Sequence, residues 1–279
     1  MTAIIFDSTP LIKQMTTQLQ DEAAAFRKQH QRSARLAQLL VGQDNAAELY
    51  SRQLVQACRK FGLGCTTMTY PFEIEENELR AEVARLNDEI NTDGVVLILP
   101  LPSHIHQRIV TDVLRPEKDV DGLGSRNAGN LVLGFPSFIP STADAVLAVL
   151  QTAGIPIAGQ NAVIVGRSNV GGKPIALMLM QKDATVTICH SQTRDLASIT
   201  RTADILVVST GRPKSLTADM VKPGAVVLDA GINTLDGRVF GDVDFESVRQ
   251  VASFLTPVPG GLGPLTHLML IRHTLLGPQ

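Results

Sequence analysis

The chain has 279 residues, of which 44% are hydrophobic and 19% charged, and its formal net charge is −2. These values leave room for about two domains, each with its own core, and exclude a disordered chain. They also exclude a strongly basic surface for nucleic acid or anionic membrane, and no apolar run approaches the ~20 residues of a membrane-spanning helix. The three cysteines form no CxxC pair, which predicts a cytoplasmic protein without a disulfide framework or zinc site.

Apolar periodicity and punctuating glycines predict alternating strands and helices over residues 1–140. The predicted elements are a helix with Thr9 as its N-cap, a strand at 36–41, a helix at 45–61, a strand at 65–70, a helix around 79–86, a strand at 95–99 and a helix at 105–114. This order predicts a first domain of the α/β class at 1–140.

A stretch rich in proline and serine at 135–142 predicts a connection between domains, and after it the alternation restarts in shorter units. We expect a helix at 142–153, strands at 162–165, 185–189, 205–208 and 225–229, and helices that start near Gly172, Arg194 and Thr217. This pattern predicts a Rossmann-like domain with a doubly wound parallel sheet at 141–264. The last helix, within 265–279, is expected to pack back on the first domain.

A glycine-rich turn, Gly166-Arg167-Ser168 with a further glycine at 172, follows the strand at 162–165. Free N–H groups at the start of the next helix make such a turn an anion site. Ser168 replaces the second glycine of G-x-G-x-x-G, and glycine rather than lysine at 172 excludes a Walker A loop. Because the turn opens a restarted α/β unit, we expect it to bind a dinucleotide.

The second strand of this unit bears on the choice of cofactor. An NAD enzyme usually carries a carboxylate near the end of that strand, where it holds the ribose hydroxyls. Here the strand ends in Cys189-His190-Ser191 without an acidic residue. Arg167 and Ser191 instead predict contacts to a 2′-phosphate, so NADP is favoured and NAD stays open.

The histidines show no spacing typical of metal ligands, and we assign none of them to a metal. Those considered are His104, His106, His190, His267 and His273.

Several motifs together resemble the family of bifunctional methylenetetrahydrofolate dehydrogenase/methenyltetrahydrofolate cyclohydrolase, of the FolD type. They are Val41-Gly42 with Tyr50, Pro100-Leu101-Pro102, Lys118-Asp119-Val120-Asp121-Gly122, Gly166-Arg167-Ser168, the segment 229–233, Gly241-Asp242-Val243 and the segment 256–264. The resemblance implies two α/β domains with a cleft between them and a homodimer. It further implies folate against the first domain, nicotinamide from the second, and a role in one-carbon metabolism.

The resemblance also implies a set of site residues. Tyr50 and Asp121 fall on catalytic positions, and the substrate-binding set is Tyr50, Asp121, Pro259, Gly260 and Gly261. The cofactor-binding set is Gly166, Arg167, Ser168, His190, Ser191, Thr210, Gly211, Gly231, Ile232 and Thr266.

Two departures from the family concern proton chemistry. The family's lysine and glutamine positions are occupied by Leu54 and Ile98. Positions 50 and 54 share a helix face, and leucine neither takes nor gives a proton. We therefore expect an NADP-dependent dehydrogenase that oxidises 5,10-methylene-tetrahydrofolate to the 5,10-methenyl form, with cyclohydrolase activity in doubt.

Three alternatives stay open. The first is the full bifunctional enzyme giving 10-formyl-tetrahydrofolate, with Gln53 or a water chain replacing the lysine and Arg52 a weaker candidate. The second is a non-catalytic paralogue that binds folate or a nucleotide. The third keeps the scaffold for a different one-carbon or pterin substrate.

Overall fold

A computed structural model describes residues 2–235 and 238–278. The chain divides into two compact units. The first unit comprises Gln14–Ser141 and His267–Gln279, and the second comprises Met1–Lys13 and Thr142–Thr266. Both are α/β, and parallel strands form the main sheet of each. In the part of the chain described, no helix has the length and apolar character that a membrane crossing requires.

The strands have two to seven residues. In chain order they are β1 (Ile4–Ile5), β2 (Arg35–Val41), β3 (Gly64–Tyr70), β4 (Gly94–Leu97), β5 (Asn161–Val165), β6 (Thr185–Cys189), β7 (Ile205–Val208), β8 (Val226–Asp229), β9 (Asn233–Leu235), β10 (Arg238–Phe240) and β11 (Phe254–Leu255).

The helices alternate with the strands. They are α1 (Thr9–His30), α2 (Asn45–Lys60), α3 (Glu76–Asp88), α4 (Gln107–Thr111), α5 (Ser125–Leu133), α6 (Ser141–Thr152), α7 (Gly172–Met180), α8 (Leu196–Thr200), α9 (Phe245–Val248) and α10 (Gly263–Leu276), with a 3-10 turn at Ala218–Met220.

The first unit is built on a parallel sheet in the order β3-β2-β4. Successive side chains of a strand point to opposite faces. Ala37, Leu39 and Val41 therefore pack on one face with the apolar side of α3. On the other face, the Gln38 side chain donates to the Ser51 carbonyl of α2. A Cβ built on Gly94 would lie 3.0 Å from Oγ1 of Thr274, so α10 covers this second face together with α2.

The second unit is built on a six-stranded parallel sheet in the order β1-β11-β8-β7-β5-β6. From β5 the chain moves outward to β6 and then returns to the other side of β5 as β7. The strand order thus reverses at β5, and ligands of such sheets bind outside the carboxyl ends of the strands at this point. The core is apolar and fully buried, as at Val163, Leu206 and Val227.

The structure confirms the predicted fold class and differs from the prediction locally. The helix expected near Thr217 is a 3-10 turn of 3 residues. The first helix includes Thr9 rather than being capped by it, because Asp7 accepts the Thr9 N–H and the Ser8 carbonyl accepts from Ile12. Residues 1–13 group with the second unit instead of residues 14–140, because β1 pairs with β11.

Candidate active site

The glycine turn after β5 makes a close approach to the loop after β7. Gly166 has φ +142°, and a Cβ built on it would lie 2.2 Å from the Ser209 carbonyl oxygen. A Cβ on Gly172 would in turn lie 2.2 Å from the Gly166 carbonyl oxygen. Both positions therefore require glycine, and together they bring the start of α7 to the carboxyl ends of β5 and β7.

Polar contacts fix this turn and leave a cradle for an anion. Ser168 Oγ accepts from the Gly171 N–H at 3.0 Å, and Lys173 Nζ donates to the Asn169 side chain at 2.7 Å. The start of a helix carries N–H groups without intrahelical partners and a partial positive charge. Arg167 is exposed beside it. These groups fit a dinucleotide phosphate.

The loop after β6 lies at the same sheet edge, because β6 pairs with β5. The His190 N–H donates to Thr193 Oγ1 at 2.8 Å, and its Nδ1 accepts from the Gln192 N–H at 3.2 Å. Ser191 between them is exposed. The loop thus presents Ser191 outside the strand that neighbours the turn carrying Arg167.

Two buried aspartates, which the sequence analysis did not assign, hold the remaining predicted cofactor loops. Asp242 accepts from the Thr210 and Gly211 N–H groups, and a Cβ on Gly231 would lie 2.1 Å from its carboxyl carbon. Asp229 accepts backbone N–H bonds from Gly231, Asp242 and Val243, and burial raises its pKa to about 6.

Both aspartates fall inside motifs that carry the family resemblance, but a motif does not say that its carboxylate is turned inward. Ile232, beside Gly231, is 57% exposed. The backbone N–H groups of Thr210 and Gly211 donate to Asp242. A ligand would therefore contact other atoms of these two residues.

The motif at 256–264, which contains the predicted substrate-binding residues Pro259, Gly260 and Gly261, begins as a tightly folded loop of the second unit. Ser8 Oγ donates to the Gly260 carbonyl at 2.6 Å, and a Cβ on Gly261 would lie 2.4 Å from the Pro257 carbonyl oxygen. Pro259 and Gly260 are exposed. Thr266 follows in the first turn of α10, where its hydroxyl donates to the Gly263 carbonyl at 2.8 Å.

The helix α2 presents the predicted catalytic turn of the first unit. It starts at a capped end, where Asp44 accepts the Ala47 N–H at 2.8 Å. Tyr50 is half-buried, whereas Leu54 is fully buried at 0% exposure. Ile98 is 2% exposed just after β4. The two family positions are therefore not only apolar by sequence but enclosed in the core.

Neither residue considered as a substitute for the lysine faces this region. Gln53 is exposed. Arg52 is exposed as well and pairs with Glu48 one turn earlier at 3.2 Å. Neither belongs to the buried stripe of α2, which is formed by Ala47, Ser51, Leu54 and Cys58.

His267, the first residue of α10 in the first unit, lies against Tyr50. The two ring centroids are 4.3 Å apart and the rings are inclined by 33°. The imidazole is 8% exposed, and its Nε2 has no hydrogen-bond partner in the described part of the chain. Burial lowers the pKa of His267 to about 4, opposed by a hydrogen bond to the Tyr50 backbone.

Asp121 is buried near the start of α6. Its carboxylate accepts the Ser141 N–H at 2.9 Å. Burial raises its pKa, opposed by that hydrogen bond and by the nearby His273. His273 is itself anchored through a 2.8 Å hydrogen bond between its Nδ1 and the Val120 carbonyl. Gly122 has φ +62° and no room for a Cβ, which would lie 2.2 Å from the Phe138 carbonyl oxygen.

A cavity of about 660 Å³ opens at the carboxyl edge of the three-stranded sheet. Its lining includes Val41, Gly42, Pro100 and Leu101, with the exposed Phe72 at its side. Two of the segments that carry the family resemblance thus meet at one edge of the first unit, although they are far apart in sequence.

Both halves of the chain match family models. Residues 6–121 match the catalytic domain of tetrahydrofolate dehydrogenase/cyclohydrolase. Residues 140–278 match the NAD(P)-binding domain of the same family.

Similar proteins cover the whole chain. "Bifunctional protein FolD" of Bordetella avium is 48% identical over 276 residues, which are 99% of this chain and 97% of that protein. The crystal structure of bifunctional FolD from Campylobacter jejuni has a TM-score of 0.92 and 37% identity, covering 98% of this chain and 97% of that one. FolD of Trypanosoma brucei, complexed with NADP and an inhibitor, has a TM-score of 0.93 and 34% identity, covering 99% and 97%.

Proposed function

Since the chain belongs to the tetrahydrofolate dehydrogenase/cyclohydrolase family, we propose that it is a bifunctional, NADP-dependent enzyme of one-carbon metabolism. It oxidises 5,10-methylene-tetrahydrofolate to the 5,10-methenyl form and hydrolyses that product to 10-formyl-tetrahydrofolate. The similar proteins, which are named as bifunctional, favour this reading over the dehydrogenase with doubtful hydrolase activity that Leu54 and Ile98 predict.

One observation carries the dehydrogenase half. The turn at 166–172 sits where the strand order reverses, and its two glycines allow a close backbone approach that any Cβ would block. Arg167 and Ser191 lie exposed at this edge and supply the contacts for a 2′-phosphate, which supports NADP over NAD. NADP, when bound, supplies the hydride acceptor.

The chain's own residues have limited tasks in the oxidation. The cation that forms at the one-carbon unit is stabilised by its two flanking nitrogens, so positioning and exclusion of water dominate. Asp121 binds the amino-pyrimidine edge of the pterin through charge-assisted hydrogen bonds. Its anchoring by Ser141 fixes the carboxylate before substrate arrives. Tyr50 contacts the folate from α2.

The hydrolytic half asks for a group that moves protons. Leu54 and Ile98 are both buried and apolar, so the lysine and glutamine chemistry of the family is absent from these two positions. Gln53 and Arg52 point to solvent. A bifunctional enzyme on this scaffold must therefore draw on another side chain or on an ordered water.

An absorbance assay tests the proposal. Purified protein is mixed with 5,10-methylene-tetrahydrofolate and NADP+ or NAD+, and a parallel sample is acidified to convert formyl product back to the methenyl form. Reduction of NADP+ without build-up of methenyl product beyond its spontaneous hydrolysis supports both activities. Reduction with accumulating methenyl product contradicts the hydrolase half. Absence of reduction with either cofactor contradicts the dehydrogenase half and favours a binding paralogue or another substrate.

Two further expectations belong to the same proposal. A homodimer is expected from the family resemblance, and light scattering of the purified protein tests it. A cytoplasmic location stays the expectation that the cysteine pattern of the sequence gives.

A further inference from the structure

A histidine from another helix packs against Tyr50 of α2 and could move protons there. His267 comes from α10, at the other end of the chain, and its ring packs on that of Tyr50 at 4.3 Å between centroids. Its Nε2 has no hydrogen-bond partner within 2–235 and 238–278, although the residue is only 8% exposed. Buried polar atoms normally have partners, and those that have none often serve a function.

The position of the imidazole is set by the backbone of that turn. His267 hydrogen-bonds the Tyr50 backbone in a way that raises its pKa, which identifies a ring N–H donating to the Tyr50 carbonyl. Since Nε2 has no partner, Nδ1 is the donor and Nε2 carries the free lone pair. A helical carbonyl points toward the residue four positions later. The imidazole therefore lies beside the turn that joins Tyr50 to Leu54.

We propose that His267 is the proton acceptor of the hydrolytic reaction, at the turn where Leu54 cannot perform that chemistry. This inference rests on the bifunctional activity proposed above. It adds a catalytic residue that is absent from the predicted site set.

The step balances as follows. The oxygen of water bonds to the methenyl carbon while one water proton moves to Nε2 of His267, giving a neutral carbinolamine and an imidazolium. The imidazolium returns the proton to N5 of the folate, and the bond between that nitrogen and the carbon breaks with its electron pair going to nitrogen. The hydroxyl proton leaves to solvent as the formyl C=O forms, so one proton is released overall and no redox partner is needed.

Other groups of the first unit are less suited to this step. Gln53 is an exposed neutral amide, which is a poor proton acceptor, and Arg52 is a cation paired with Glu48. Asp121 already accepts from Ser141. His273 donates its Nδ1–H to the Val120 carbonyl. Burial lowers the pKa of His267, so its imidazole is neutral at pH 7 and the Nε2 lone pair is not already protonated.

Two variants separate proton acceptance from positioning. His267→Asn places an amide N–H where Nδ1 donates to Tyr50 but has no group at Nε2. His267→Gln places an amide near Nε2 that accepts a hydrogen bond but no proton. Both are expected to lower the hydrolysis rate of added 5,10-methenyl-tetrahydrofolate by about 10²-fold or more, the usual range for a lost general base. The dehydrogenase kcat is expected to change less than about threefold, which also reports that the site is folded.

His106→Gln is the matched control. His106 belongs to the same unit, is exposed and pairs with Glu76 at 2.8 Å, so both rates should equal those of the unsubstituted protein. Hydrolysis within about threefold of normal in both His267 variants overturns the inference while leaving the proposed function standing. Equal loss of both activities also overturns it, because that is the signature of a structural role.

The unsubstituted protein separates this inference from the proposed function. If it reduces NADP+ but does not accelerate methenyl hydrolysis, both the hydrolase half and the role of His267 fail. A second measurement does not depend on the folding of a variant. Nitrogen NMR should show the imidazole of His267 neutral between about pH 5.5 and 8, with its proton on Nδ1 and no proton on Nε2. A protonated ring or a proton on Nε2 contradicts the inference.

Discussion

The cofactor turn at 166–172 depends on its backbone, whereas the catalytic turn at 50–54 depends on its side chains. At the cofactor turn, Gly166 and Gly172 let backbone segments approach each other more closely than any residue with a Cβ would permit. At the second, function depends on side chains, and two expected polar ones are replaced by Leu54 and Ile98. A site made of backbone keeps its sequence signature as long as the glycines stay. A site made of side chains can move its chemistry to another element.

The largest effect is expected from restoring a charge to the side-chain site. Leu54→Lys buries an ammonium group at a position with 0% exposure. A buried lysine shifts its pKa by about 3 units or more, so we expect a loss of roughly 4 kcal/mol in unfolding free energy. Adding Ile98→Gln supplies an acceptor and should recover about 1.5 kcal/mol. Urea denaturation of both proteins at pH 7 measures these differences.

The same pair of variants sharpens the interpretation of position 54. If the lysine and glutamine rebuild the family constellation, hydrolysis in a His267→Asn background should rise about tenfold or more with Leu54→Lys and Ile98→Gln together. Leu54→Met with Ile98→Leu is the control, because it keeps the pocket apolar and its volume similar. An equal rise in the control would show that packing, and not proton transfer, limits the rate.

Next in size is a break in the backbone-built site. Gly172→Ala places a Cβ 2.2 Å from the Gly166 carbonyl oxygen, and relieving that overlap is expected to cost about 2 to 3 kcal/mol. The KM for NADP+ should rise by more than about tenfold as the turn shifts. Gly129→Ala is the matched control: Gly129 lies within α5, and a Cβ there meets no described atom within 4 Å. Gly129→Ala is expected to raise the free energy of unfolding by about 0.5 to 1 kcal/mol. A lower free energy of unfolding in this variant would contradict the steric reasoning.

The two units also carry one comparable buried carboxylate each. Asp119 accepts from the Leu123 and Gly124 N–H groups and from Asn127, and burial raises its pKa to about 6. Asp229 is held in the same way and has a pKa of about 6. Each folded-state pKa lies above the unfolded value near 3.9. Each therefore contributes stability that is present below about pH 4 and is lost as the pH rises to about 6.

The expected decline is on the order of 2 kcal/mol per carboxylate over this interval. Asp229→Asn and Asp119→Asn should each remove about half of the combined decline, in addition to a constant cost from the lost acceptor. Thermal unfolding at several pH values from 4 to 7 tests this. An unchanged slope in both variants would mean that neither carboxyl titrates in this range.

The smallest effect is expected at Arg167, whose side chain contributes to cofactor binding at the turn 166–172. Arg167 is exposed, so Arg167→Gln should leave folding unchanged and weaken NADP+ binding about tenfold, or about 1.4 kcal/mol, through loss of one phosphate contact. NAD+ kinetics should stay the same because that cofactor has no 2′-phosphate. An equal loss for both cofactors would place Arg167 at the pyrophosphate instead.

The comparison of sequence with structure follows the same division. The strands at 185–189 and 205–208 are confirmed at their predicted bounds, and α7 starts at the predicted Gly172. These elements are encoded by β-branched residues and by glycines, which act locally. The helix α5 and the hairpin formed by β9 and β10 were not predicted, because their short segments show neither clear helical nor clear alternating periodicity.

The sequence by itself determined the alternation of strands and helices and the cofactor turn, because local periodicity and glycine spacing lie in consecutive residues. The family followed from the resemblance that several motifs carry together. The tertiary structure alone decided that His267 lies on Tyr50, that Asp229 and Asp242 turn inward to hold loops, and that Gln53 faces solvent. These facts depend on which helices and strands meet after the chain has folded. A single histidine or aspartate carries no mark of the distant partner that gives it a role, since that partner is chosen by packing rather than by spacing along the chain.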